Sequence, residues 1–109
     1  MKIIPSDSIV VSELAGNTIK IRVIEKSLVN AMSSLGFSHD GDFMTLTIID
    51  EEQKIKIINN LIEHEALFTY GHGWYPSEVV GFYKDKHMIS KEYNVISWSS
   101  PSEYSICRK

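Results

Sequence analysis

The chain has 109 residues, 43% hydrophobic and 23% charged, with a formal net charge of −3. At this length folding hides about 65% of the surface that an unfolded chain exposes, enough for one core and hence one domain over residues 1–109. The composition excludes wholesale disorder, and a lone cysteine, Cys107, excludes an intramolecular disulfide and points to a reducing compartment, the cytoplasm.

Met1–Asp7 does not read as a secretory signal, which needs a longer apolar stretch before a small-residue cleavage site. No apolar run approaches the ~20 residues that span a bilayer. Charge is unevenly spread. Residues 40–78 carry eight acidic side chains against Lys54 and Lys56, a net −6, whereas the flanking segments are slightly basic. Phosphate backbones repel such a stretch, so direct nucleic-acid binding through it is not expected. A basic protein partner would be attracted, although a solvated helix face explains the same charges.

In chain order, Ser8–Leu14 is short and rich in β-branched residues, which predicts a strand. Ala15-Gly16-Asn17 suits a tight turn. Thr18–Ile24 alternates, with Ile19, Ile21 and Val23 on one face, as in a sheet covered on one side. From Lys26 the period changes. Leu28, Val29, Met32 and Leu35 recur at helical spacing, and Gly36 stands where a left-handed cap is expected. Ser38–Asp42 reads as a turn centred on Asp40-Gly41. Phe43–Ile49 predicts a third strand with Met44, Leu46 and Ile48 inward.

Asp50 and Gln53 have capping-box spacing, Glu51 and Glu52 suit the first turn, and Ile55, Ile58, Leu61 and Ile62 form the stripe of a second helix ending near His64 or Ala66. Leu67–Tyr70 fits either a helix extension or a strand. Gly71–Pro76 is a loop, with Pro76 opening a third helix whose stripe is Val79, Phe82 and Tyr83. Gly81 weakens that helix by about 1 kcal/mol. Tyr93–Trp98 and Glu103–Cys107 form a C-terminal hairpin in which Trp98 and Cys107 are expected to pack inward. The expected fold is therefore α+β, in the order β-β-α-β-α-α-β-β, with a mainly antiparallel sheet and helices covering one face.

Four histidines, His39, His64, His72 and His87, are too far apart in sequence for a metal site built from close ligand pairs, and no metal or cofactor is expected. Asp40-Gly41-Asp42 starts like a calcium loop but lacks the later ligands. His72, between Gly71 and Gly73, suits acid–base work beside carboxylates such as Glu65 or Glu78, yet no nucleophile motif, P-loop or dinucleotide fingerprint accompanies it. The aromatic run Phe68, Tyr70, Trp74 and Tyr75, the last two on a glycine-bracketed loop, suits recognition of a protein, because rigid rings bury much area at small entropic cost. Trp74 could equally plug the core.

The sequence thus favours a non-enzymatic protein-binding domain, of the kind of a small bacterial inhibitor or immunity protein that neutralises a basic, nuclease-like toxin. Its expected partner-binding residues are Glu51, Glu52, Glu63, Glu65, Tyr70, His72, Trp74, Tyr75 and Glu78. A small hydrolase using His72, or a homo-oligomeric adaptor pairing through a sheet edge or the aromatic loop, are the alternatives.

Overall fold

The computed structural model describes residues 9–23, 25–71, 74–100 and 103–109. Its elements are β1 (Ile9–Glu13), β2 (Thr18–Val23), α1 (Lys26–Leu35), β3 (Ser38–Asp40), β4 (Phe43–Thr47), α2 (Glu51–Glu63), β5 (Leu67–Thr69), α3 (Pro76–Asp85), β6 (Asn94–Ser100) and β7 (Glu103–Arg108). The strands form one sheet in the order β3-β4-β2-β1-β5-β6-β7. Among the described residues, no helix is long and apolar enough to cross a membrane.

Local chemistry explains the strongest elements. Gly16, at φ 76°, turns the chain between β1 and β2. Gly36 caps α1 at φ 112°, and its N–H donates to the carbonyls of Met32 and Ser33. Asp50 Oδ1 accepts the Gln53 N–H at 2.7 Å, while Gln53 Oε1 accepts the Ile49 N–H at 2.8 Å, so the side chains on both sides of the α2 start satisfy backbone donors. Pro76 opens α3 after an extended Tyr75.

The sheet is mixed: among the described residues four strand pairings are antiparallel, in keeping with a mainly antiparallel sheet, and two are parallel. β1 pairs with β5, and β5 with β6, in parallel. Two short strands change the expected element order, and the first of them makes the sheet mixed. Leu67–Thr69 is a strand and not a helix extension, so α2 and α3 become crossovers between parallel strands. Ser38–Asp40, expected as turn, is the edge strand β3, joined to β4 by the two residues Gly41-Asp42.

The pairing register fixes the faces. Val11 stands across from Ile21 and Phe68, Ile21 from Met44, and Phe68 from Val95. All five are buried in one cluster with Met32 of α1, Ile58 and Leu61 of α2, and Val79, Val80 and Tyr83 of α3. α3 lies over β5 and β1, and α1 over β2. The opposite face carries Lys20, Arg22, Thr45 and Thr69, and there Leu67 and Ile96 are buried apart from the main cluster.

Three packing expectations are corrected. Trp98 is on the face away from the helices, 42% exposed, with its ring against Tyr104 at 5.2 Å. Cys107 shares the parity of Val95 but lies on the outermost strand, where no further strand shelters it, and is exposed. Val80, not Phe82, completes the buried stripe of α3.

Candidate interaction surface at the carboxyl ends of the parallel strands

β1, β4, β5 and β6 run in one direction, so their carboxyl ends meet at one end of the sheet, together with the amino ends of α2 and α3. From β1 the chain turns back toward β2, and from β5 it crosses the other way to β6. The gap between β1 and β5 is therefore a topological switch point, the place where open α/β sheets form crevices.

A depression of about 370 Å³ lies there, lined by Ser12, Glu13, Leu14, Ala15, Trp74, Tyr75 and Pro76. Leu14 is fully buried beneath it. A second depression, of about 270 Å³, shares Ala15 and Trp74 and continues over Phe82 and Tyr83 to Lys54. A third leads from Lys54 and Tyr83 to Asp50 and Glu51. The three form one continuous surface.

Its aromatic side chains are held open by the backbone. Trp74 has φ 68°, a left-handed conformation that costs a non-glycine residue roughly 1 kcal/mol or more. Its N–H donates to Glu78 Oε2 at 3.2 Å. Its indole meets the Phe82 ring edge-on at 5.6 Å and stays 56% exposed. Tyr75 lies against Gly71, where a Cβ would stand 2.3 Å from the Tyr75 ring. Tyr70 and Tyr75 are each about half exposed. Thr69 Oγ1 donates to the Val11 carbonyl at 2.7 Å, and the Tyr70 N–H to the Ile96 carbonyl at 2.9 Å, fixing where β5 leads into this surface.

The electrostatics are acidic, with Glu13, Asp50, Glu51 and Glu78 around the aromatic rings. Lys54 is buried, and its ammonium donates to the Gly16 carbonyl at 3.0 Å. Burial lowers its pKa, and Glu51 partly offsets this. Burial, with Glu51 second, raises the pKa of Tyr83.

The expected site residues divide between two ends of α2. Glu51 and Glu52 begin it, close to Trp74, Tyr75 and Glu78 across the joined depressions, although Glu52 itself faces Lys56 at 3.8 Å. Glu63 and Glu65 end it, about 20 Å away at 1.5 Å per residue. There Glu63 pairs with Lys91, while Glu65 accepts from Asn94 at 2.9 Å and from Arg108 at 3.2 Å. The hydrogen bond from Lys91 lowers the Glu63 pKa, and those from Asn94 and then Arg108 lower that of Glu65. His72 lies outside the described residues. His39, His64 and His87 are on β3, at the end of α2 and beyond α3. Among the described residues, no group of three or more His, Cys, Asp or Glu side chains could hold a metal ion.

The structure adds Glu13, Lys54, Phe82 and Tyr83 to the surface. Phe82 was legible as an aromatic eight residues after Trp74, but helical spacing assigned it inward. Glu13 carried no motif, since only the pairing of β1 with β5 brings it near Trp74. No protein-family model matches the chain, and no curated protein or solved structure matches it either.

Proposed function

We propose that the chain is a non-enzymatic binding domain that covers a basic surface on another protein, in the manner of a small inhibitor or immunity protein acting on a nuclease-like toxin. The observation that carries this reading is the exposure of Trp74, Tyr75 and Phe82 together, along joined depressions that Glu13 lines at the switch point and Asp50 and Glu51 line at the start of α2. Rings held half out of water on rigid elements are binding anchors, and carboxylates around them can stand where phosphates would on a nuclease. Among the described residues the depression is shallow and open to solvent, which suits the surface of another protein.

The test is capture with the whole protein as bait, followed by affinity measurement. A single stoichiometric basic partner, lost on Tyr75→Ala and on Trp74→Gly and associating more slowly as salt is added, supports the reading. Binding indifferent to both substitutions, or an on-rate independent of salt, overturns it.

A further inference from the structure

The two edges of the sheet differ. β3 presents three polar residues, too short a template for pairing. β7 presents six, Glu103-Tyr104-Ser105-Ile106-Cys107-Arg108, with no proline, and its residues are exposed apart from a partly buried Tyr104. An edge of this length is one that proteins usually blunt or pair.

The direction of its backbone groups follows from one pair. Lys109 and Tyr93 exchange both N–H···O bonds, at 3.1 and 2.8 Å. Antiparallel ladders alternate, so Cys107 faces Val95 and Ser105 faces Ser97 in the same hydrogen-bonded manner. Ile106 and Arg108 consequently direct their N–H and C=O groups outward, away from β6.

From this edge we infer that β7 pairs antiparallel with β7 of a second copy of the chain, about a two-fold axis at Ile106. A two-fold axis normal to the sheet keeps each side chain on its own face, so partners must have the same parity. With Ile106 on the axis, Ile106 exchanges hydrogen bonds with its copy. Arg108, whose guanidinium is held by Glu65 and Glu92 of its own chain, lies across from Tyr104 of the second copy, and Ser105 across from Cys107. Glu103 lies across from Lys109 of the second copy, on the helix side of the sheet. The sequence Glu-Tyr-Ser-Ile-Cys-Arg-Lys is thus self-complementary in charge when read against itself. Shifting the register by two residues either way removes the Glu103–Lys109 match. The pairing leaves the surface around Trp74 untouched and stands independently of the proposed function.

The experiment is sedimentation equilibrium on the whole protein from about 1 to 500 µM, the range in which a small interface associates. The wild type dimerises. Glu103→Lys and Lys109→Glu each weaken dimerisation about tenfold, because each places like charges across two symmetry-related pairs. The double reversal restores it. In a Cys107→Ser background, Ile106→Cys forms an intermolecular disulfide on oxidation, because hydrogen-bonded partners have Cα atoms about 5.5 Å apart. Circular dichroism identifies any variant that fails to fold, and the restored double variant reads the pairing despite such a failure. A monomer throughout the range, a dimer unmoved by either single reversal, or a double variant no tighter than the singles overturns the proposal.

Discussion

Replacing Trp74 by glycine and by alanine separates its packing from its backbone strain. Its side chain is 56% exposed, so about 110 Å² of the ~250 Å² that a tryptophan can bury is covered. At about 25 cal/mol per Å², reduced for a compact unfolded chain, that burial contributes about 2 kcal/mol. The edge-on contact with Phe82 adds about 1 kcal/mol. Alanine loses both and keeps the left-handed φ of 68°, so Trp74→Ala is expected to cost about 3 kcal/mol. Glycine adopts that φ without steric penalty and regains about 1 kcal/mol, so Trp74→Gly costs about 2 kcal/mol. Urea unfolding with a common slope measures both. Glycine more stable than alanine, the reverse of their order inside a helix, is the diagnostic result. Alanine equal to or better than glycine would refute the strained backbone. A loss in either variant well beyond 3 kcal/mol would mean that Trp74 is buried like Phe68. The sequence leaves Trp74 equally open to exposure and to the core; the half-covered ring and its Phe82 contact set the expected loss between those two cases.

Gly71→Ala sets a Cβ 2.3 Å from the Tyr75 ring, so Tyr75 must move, and near-UV circular dichroism should show an altered aromatic environment with about 1–3 kcal/mol of lost stability. His87, at φ 62° just past α3, occupies a left-handed cap position where the following N–H, that of Met88, donates to the Tyr83 carbonyl; His87→Gly should therefore raise stability by about 1 kcal/mol in urea unfolding. The folded pKa of Glu65 is lowered below the ordinary 4.5, so its contribution to stability is present above pH 4.5 and is lost as pH falls through the folded value. Glu65→Gln should flatten the acid limb of a stability–pH curve, and a variant whose limb is as steep as the wild type's would dismiss the Asn94 and Arg108 contacts as stabilising.

What could be read from the sequence was what local chemistry controls. The Thr18–Ile24 alternation, the Asp50 cap, the Gly36 cap and Pro76 at the start of α3 all depend on near neighbours. β5 could not be read that way. Leu67 and Phe68 are adjacent and both buried on opposite faces, so the two-residue period that marks a half-covered strand is absent. β3 has no apolar residue at all and exists only because β4 offers it an edge. Trp98 and Cys107 show a different limit. Period two states which residues share a face, and does not state which face the helices cover or whether a strand lies at the edge. The site divided for the same reason. The five acidic residues expected at the site fall within one acidic stretch of the sequence, but a helix of 13 residues carries its two ends far apart.

That division gives the two ends of the sheet different electrostatic roles. At one end Lys91 and Arg108 meet Glu63, Glu65 and Glu92, so negative charge there is answered within the chain. At the other, among the described residues, no ion pair joins Glu13, Asp50 or Glu51 to a cation: the Lys54 ammonium is turned onto the Gly16 carbonyl, and Lys20, across from Glu13 in the ladder, lies over the Phe43 ring. A field that survives at only one end is directional. Under the function proposed above, it would draw a basic partner toward Trp74 and Tyr75 rather than toward the molecule at large, so that steering and anchoring would act at the same place. The charges that matter for association are therefore Glu13 and Glu51. Neutralising Glu63 and Glu65 should leave the on-rate nearly unchanged, whereas Glu13→Gln together with Glu51→Gln should slow association and reduce its dependence on salt. An on-rate that responds equally to both pairs would mean that net charge alone steers the encounter, and that the uneven placement of the acids has no part in it.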